Sequence, residues 1–583
     1  MNDRLIDGWP LPEARQILED AGFNTQVYNA KEDLLRDIRP SLLMLWGGVA
    51  FVLLIGCVNI ANLMLARSQV RRTELAMRLA LGAQRGRVAR QVLTENVLIG
   101  VLGGVLGAGV GVLGLALLNA LGLSDLPRGS QVGLDAGVLL FTLGVALGAG
   151  VLFGLIPVVH LVRNDLSSVF RTEGRTGTAS RRAVTLRSGL VTAQVALAFV
   201  MLIGAGLMFV SFRSAVAVDP GFRPEGVFTA MVSLPESRYA DAESRRQFTD
   251  ELLSQLRVIP GVEAASMTSQ LPFSGNNSSS VILPEGYVTQ PGESLLSPFQ
   301  TWVGDEYFET LGIELVEGRT FHLSDGPDAA NAIVIDEWLA RRYWPDTSPV
   351  GKRMVWGAVP GSDDVDEEDL FTVVGVVETV KQNDLTAPDE EHVGAYYFTY
   401  RQRPVGFMTV VARTGVEAAS VTPRVRQVLA GIDPELPLFG TRTMEERIDE
   451  SLASLRVPLI LLSVFAGIAL FLAMVGIYGA LAYTITQRTR EFGIRLAMGS
   501  GPGSIFAMVL RQGARVIGVG LLVGGTGAYA SVRLMQSLLF GVESTDPAVM
   551  GGVAVLLAAV GMLAAVIPAR RATRVDPIRA LAG

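Results

Sequence analysis

Seven long apolar blocks, each almost free of charge, constrain this chain more than any other feature. They cover about residues 41–66, 96–122, 136–162, 188–211, 457–483, 511–532 and 548–569. The first reads SLLMLWGGVAFVLLIGCVNIANLMLA and carries no charge. About 20 such residues in a helix cross the hydrocarbon of a bilayer. A helix also satisfies its own backbone there, which irregular chain cannot do. The sixth block is the weakest, because Arg511, Arg515 and Arg533 crowd its ends. Seven blocks together argue against buried helices of a soluble core. Charged residues make up only 18% of the chain and hydrophobic ones 49%, in keeping with a membrane protein. None of the blocks has a central Asp, Glu, Lys or Arg, which counts against a transporter driven by protons or sodium.

The net charge of −7 hides an asymmetry. Segments after the first, third, fifth and seventh blocks are rich in arginine, hold no lysine and few acids. Among these residues are Arg67, Arg71, Arg72, Arg78, Arg85, Arg87 and Arg90, with Arg181, Arg182 and Arg187 ahead of the fourth block. The other segments are acidic. By the positive-inside rule the arginine-rich side is cytoplasmic. The N-terminus and the long segment 212–456 then lie outside, and the C-terminus inside. No secretory signal precedes the first block. Cys57 is the one cysteine and has no partner for a disulfide. His160, His322 and His392 are too scattered for a metal site.

Glycines in the second and sixth blocks form small-xxx-small pairs, Gly100 with Gly104, Gly103 with Gly107, and Gly520 with Gly524. That spacing lets helices approach closely. A longer repeat pairs two parts of the membrane region. RRTELAMRLALGAQRGRVARQVL after the first block matches RTREFGIRLAMGSGPGSIFAMVL after the fifth. Glu74 corresponds to Glu491, Arg78 to Arg495 and Gly82 to Gly499. The third block ends in Ile156-Pro157 with Asp165 beyond, and the seventh in Ile567-Pro568 with Asp576 beyond. Residues 41–165 and 457–576 are therefore two copies of one three-span unit, with the span 188–211 extra and a linker at 166–187. In each copy the Glu and Arg stand at i, i+4 on one helix face, and the glycine ends or bends the helix. An amphipathic helix at the membrane surface is the plainer reading of one copy. Its repetition points to a shared role at the base of the bundle.

The segment 212–456 is long enough for a core of its own and reads as mixed α/β. Strands are expected at 227–234, in VEAASMTSQLPF, at the start of 332–344, at 371–380 and at 407–414. Helices are expected at 241–259, at the end of 332–344, at 419–432 and at 443–458, the last running on into the fifth span. The acidic run Asp363–Asp369 lacks the ligand spacing of a calcium loop and reads as a solvated loop. SGNNSSS at 274–280 reads as a flexible loop. No hydrolase or metalloprotease motif is present. Walker A is absent: the one Gly-Lys pair is Gly351-Lys352, and Asp346 stands where its first glycine would be.

The E-x3-R-x-A-x-G stretch after a leading span, here at Glu74–Gly82 and Glu491–Gly499, resembles the FtsX-like permease domain. The external segment resembles the MacB-type periplasmic core domain in Tyr307–Ile313, Gly318-Arg319-x-Phe321, Pro349–Arg353 and Val373–Val377. The duplicated arrangement is similar to large orphan permeases of acidobacteria that carry no fused ATPase. In that pattern each unit follows a leading span and an external domain. Residues 1–39 then look like the tail of a first external domain, and the chain looks N-terminally truncated.

The resemblance implies an α-helical polytopic protein of the bacterial inner membrane, with about seven spans and one mixed α/β extracytoplasmic domain. It implies the permease subunit of an ABC-type transporter or mechanotransmission complex. The subunit would then have no enzymatic activity and bind no cofactor or metal, and ATP would be bound by a separate ABC ATPase. Glu74, Arg78, Gly82, Glu491, Arg495 and Gly499 would take up the ATPase's motion. The work would be efflux or the handling of lipoproteins or other periplasmic substrates. A second copy or a second permease, a periplasmic partner or a lipophilic substrate are the further partners implied, and nucleic acid is not. The rival reading is a membrane-anchored binding or scaffold protein without transport. One span suffices for that, so seven spans and a repeat count against it.

Overall fold

The computed structural model describes residues 39–70, 83–120, 135–163, 179–288, 295–357, 367–387, 392–536, 539–543 and 545–574, with single positions 29, 74, 77, 78, 81, 133 and 293. In chain order the helices are α1 (Arg39–Val70), α2 (Arg85–Ala120), α3 (Ala136–Arg163), α4 (Ala179–Val216), α5 (Ala242–Arg257), α6 (Tyr307–Leu311), α7 (Glu337–Tyr343), α8 (Thr422–Ile432), α9 (Met444–Ser451), α10 (Ala453–Gln487), α11 (Thr489–Ala497), α12 (Pro502–Met535) and α13 (Pro547–Ala572). The chain divides into two compact units, one containing residues 213–454 and the other residues 34–212 with 455–583.

In the helical unit, α1, α2, α4, α10, α12 and α13 are each long and apolar enough to cross a membrane among the described residues. The third block folds as the helix Ala136–Arg163, and its described apolar stretch, Ala136–Leu152, is shorter than a span. Helices overrun the apolar blocks because hydrophobicity marks where lipid ends, whereas i→i−4 bonding continues until a breaker stops it. Thus α4 begins at Ala179, inside the linker expected at 166–187. Val195, Phe199, Ile203 and Leu207 of α4 pack with Leu462, Ala466, Ala469 and Ile477 of α10 in the largest core of this unit. Of the most apolar window of α4, 61% is buried; of that of α2, none. Leu106 and Leu113 of α2 and Leu522 of α12 stay more than 70% exposed, as lipid-facing side chains do.

The other unit is built on one mixed sheet. Its strands are β1 (Val227–Ser233), β2 (Val262–Thr268), β3 (Ile282–Pro284), β4 (Phe299–Val303), β5 (Leu315–Gly318), β6 (Ala332–Asp336), β7 (Arg353–Trp356), β8 (Leu370–Val377), β9 (Ala395–Thr399), β10 (Phe407–Thr414) and β11 (Phe439–Thr443). The order is β11-β1-β10-β2-β4-β9-β6-β8-β7-β3, with β5 also on β8. Pairing is antiparallel except at β4–β9 and β6–β8. Two cores lie on it. Phe248, Leu252 and Leu256 of α5 and Val425 and Leu429 of α8 pack on β1, β2 and β10. Leu339 of α7 packs on β6, β8 and β9. Asp241 caps α5 by accepting from the Ser244 amide at 2.8 Å, which fixes where that helix starts.

Three expectations need revision. The helix expected over 443–458 is two helices. Thr443 and Glu446 form a capping box that starts α9, Leu452 closes it, and α10 opens at Ala453. Asp363–Asp366 lie outside the described residues, but Glu367–Asp369 form a 3₁₀ turn and Asp369 pairs with Arg403 at 3.2 Å. The loop 274–280 is tied down: the Ser278 amide donates to Gln270 Oε1 at 2.7 Å, and the Ser278 carbonyl accepts from the Gln300 amide at 3.0 Å.

Candidate functional site

Glu74, Met77 and Arg78 are helical, and Arg78 Nη2 donates to Glu74 Oε1 at 2.6 Å. In the second copy, α11 holds the same pair, with Arg495 Nη2 donating to Glu491 Oε1 at 2.7 Å. Each arginine also reaches thirteen residues on, to the next helix. Arg78 Nη1 donates to Gln91 Oε1 at 3.2 Å, and Arg495 Nη1 points to Met508 Sδ at 3.4 Å. Gln91 and Met508 are themselves repeat equivalents. Arg488 adds a longer contact to Glu491 at 3.7 Å.

The ends of the two helices repeat as well. The Leu81 amide donates to the Met77 carbonyl at 2.9 Å, and the Met498 amide to the Ile494 carbonyl at 2.9 Å. The Ala83 amide donates to the Arg78 carbonyl at 3.0 Å, and the Ser500 amide to the Arg495 carbonyl at 2.9 Å. In the second copy this is a Schellman stop: Gly499 lies at φ +90° and its amide donates to Leu496 O at 3.1 Å. Gly82 lies outside the described residues.

Each helix presents an uncovered apolar pair beside its ion pair. Met77 and Leu81 are 52% and 89% exposed, and their equivalents Ile494 and Met498 are 41% and 81% exposed. An ion pair as open as these contributes at most about 0.5 kcal/mol to the fold, so its charges remain available to another protein. Apolar side chains at i, i+4 form the kind of short stripe that seats in a groove.

The glycine pairs behave differently in the two copies. A Cβ on Gly520 would meet Val195 Cγ1 at 2.5 Å, and one on Gly524 would meet the Ala196 carbonyl oxygen at 2.9 Å. These glycines let α12 close onto α4. Their repeat equivalents, Gly103 and Gly107, have nothing within 4 Å among the described residues. Gly100 does form a close crossing, since its Cβ would lie 2.8 Å from the Ala146 carbonyl oxygen of α3.

Sequence reasoning missed two polar features of the spans. Asn59 Nδ2 of α1 and Gln194 Nε2 of α4 both donate to the Leu472 carbonyl of α10, at 3.0 and 2.5 Å. Gly476, one turn on, leaves room for the Gln194 amide, which a Cβ there would strike. One backbone carbonyl thereby ties three helices together. The signal was amide side chains inside uncharged blocks, Asn59 and Asn62 in the first and Gln194 in the fourth, a pattern that marks interhelical bonding. The second feature is Arg187, assigned above to the linker. It is only 6% exposed, and its guanidinium lies 3.7 Å from the centre of the Tyr483 ring. Its Nε has no hydrogen-bond partner among the described residues. A cation–π contact contributes about 0.5–2 kcal/mol, less than the several kcal/mol that burying an unpaired charge costs. Among the described residues no three His, Cys, Asp or Glu side chains gather to hold a metal ion.

Comparison with known proteins finds two family descriptions. The FtsX-like permease C-terminal model matches residues 46–166 and again residues 463–577. The MacB-like periplasmic core domain model matches residues 138–428, so it overlaps the first permease match and includes the span of α4. The macrolide export ATP-binding/permease protein MacB of Agrobacterium fabrum is 30% identical over 297 residues, 48% of this chain and 43% of that protein. Its counterpart from Hahella chejuensis is 28% identical over 48% of this chain and 42% of its own length. A MacB 2 of Yersinia pestis is 24% identical over 56% and 50%. The chain thus spans half or less of the length of these curated relatives. The crystal structure of the periplasmic region of MacB from Actinobacillus actinomycetemcomitans matches 41% of this chain and 97% of its own, at 15% identity and a TM-score of 0.27.

Proposed function

This chain belongs to the MacB/FtsX-like ABC transporter permeases, and from that premise we propose that it couples the ATP cycle of a separate ATPase to motion of its extracytoplasmic domain. The family makes it a multi-pass inner-membrane permease subunit with a periplasmic-type domain. In the proposed reading the ATPase binds ATP and docks on Glu74–Gly82 and Glu491–Gly499 from the cytoplasm. The N-terminus and residues 212–456 lie outside, and the C-terminus inside. The work is done on a lipophilic or periplasmic substrate, as efflux or as lipoprotein handling; relatives matched here carry macrolide export in their names.

The observation that carries the docking role is the shared geometry of the two cytoplasmic helices. Each combines a Glu–Arg pair with a neighbouring exposed apolar pair. Two copies give two sites of the same kind, as a pair of nucleotide-binding subunits would require. A turn at Leu452 separates α9 from α10.

Affinity capture from the native host in mild detergent tests this. The wild-type chain should bring down an ABC ATPase. Glu74→Arg with Glu491→Arg, and separately Leu81→Ser with Met498→Ser, should each reduce recovery at least about tenfold, since lost hot-spot contacts cost 2 kcal/mol or more. Undiminished recovery with both double variants would remove the helices from the docking role.

A further inference from the structure

We propose that Arg187 is the anchor of a site for the phosphate of an anionic phospholipid, set at the membrane–water boundary between α4, α10 and α12. A narrow cleft, open at its mouth, lies between these helices. Arg187, Ser188 and Gln512 supply polar groups to it, and Val191, Ile477 and Val516 supply apolar wall. Arg187 stands immediately before the uncharged run 188–211. That is the depth at which long cationic side chains meet headgroups and tyrosines line the interface.

The arginine is the independent reason to expect a ligand. It is 6% exposed, lines the cleft, and makes no hydrogen bond or ion pair among the described residues. Its Nε is buried without an acceptor. The Tyr483 face covers one side of the guanidinium, but a ring accepts no in-plane hydrogen bond. The planar fork of donors is thus left for an anion with paired oxygens, which a phosphate supplies. In the first repeat the residue corresponding to Gln512 is Glu95. At Gln512 the second repeat offers a neutral amide instead of a carboxylate, so the cleft holds a donor where a competing anion would otherwise sit. Basic pockets between spans at a membrane surface are how proteins select anionic headgroups.

Full-length chain purified in detergent, delipidated and returned to mixed micelles gives the test. Retention of dioleoylphosphatidylglycerol and dioleoylphosphatidylcholine is read by native mass spectrometry. Wild type should keep the anionic lipid in preference, and Arg187→Gln should keep about tenfold less of it, the loss typical of a charge-assisted pair. The exposed-charge control Arg490→Gln should match wild type. If Arg187→Gln does not fold, Gln512→Leu, which keeps the arginine and its tyrosine, should still weaken retention severalfold. Equal retention by wild type and the cleft variants would overturn the site. Equal retention of the two lipids would overturn its selectivity for an anion. Full competition by millimolar inorganic phosphate would identify a free-phosphate site and overturn the lipid.

Discussion

Replacing Gly520 and Gly524 with alanine should destabilise the helical unit, while the same change at Gly103 and Gly107 should not. The two pairs occupy equivalent repeat positions and have the same intrinsic helix propensity, so any difference isolates tertiary contact. Alanine in place of glycine favours the helix by roughly 1 kcal/mol in either copy on scales measured in water. At Gly103 and Gly107 the new methyl groups meet nothing within 4 Å among the described residues, and that small gain stands. At Gly520 the methyl carbon would sit 2.5 Å from Val195 Cγ1 and 3.2 Å from the Thr192 carbonyl oxygen; at Gly524 it would sit 2.9 Å from the Ala196 carbonyl oxygen and 3.0 Å from its Cα. The backbone atoms cannot rotate aside, so α12 must move off α4. Overpacking of this kind costs roughly 1–3 kcal/mol per site. The double variant should lose about 2 kcal/mol net of the helix term, some 30-fold in the folded-to-unfolded ratio. Titration of the detergent-solubilised chain with sodium dodecyl sulfate, followed by far-ultraviolet circular dichroism, reads both variants. An equal loss in the two double variants would show that these glycines act through helix flexibility and not through contact with α4.

Three further outcomes follow from local geometry. Gly476→Ala should destabilise the spans by about 1–3 kcal/mol through collision with the Gln194 amide, and Gln194→Ala should restore most of that loss in the double variant; a strictly additive cycle would refute the contact. Gly499→Ala, forced into the left-handed region at φ +90°, should cost roughly 1–2 kcal/mol at the end of α11 and lower ATPase capture while Ser500→Ala leaves it unchanged. In the sheet domain, burial pushes the Asp325 carboxyl up, but hydrogen bonds from Arg319 and the His322 amide, with the Arg319 charge, hold it below the usual carboxylate range. A depressed carboxyl contributes stability that is present above its unfolded pKa of about 4 and is lost as pH falls through the folded value. Thermal melts at pH 7 and below pH 4 should therefore differ less in Arg319→Met than in wild type, and equal pH sensitivity would refute the pairing.

Strands with alternating or strongly apolar sequence, such as β1, β8 and β10, were legible because their side chains split between two faces or fill a core. β9, AYYFT, was not, although like the legible β6 it is buried at all five positions. β3, β5 and β7 are three or four residues long, too short for periodicity to register. The Glu–Arg pairs were legible because i, i+4 spacing is a property of any helix. Their reach to Gln91 and Met508, thirteen residues on, needs the following turn to fold back.

Sequence alone determined that this chain lives in a membrane, that its spans come as two copies of a three-helix unit, and that a mixed α/β segment separates them. Those conclusions rest on the cost of leaving apolar surface in water and on residue spacing along the chain, both of which a linear string carries. Tertiary structure decided which copies of a repeated residue have a partner. Gly520 meets α4, while Gly103 has nothing within 4 Å among the described residues; Gln512 lines a cleft beside a buried arginine, while its equivalent Glu95 accepts a hydrogen bond from Gln91 at 3.2 Å. The sequence repeat makes the two units look alike, but a contact also depends on what stands opposite each copy of a residue.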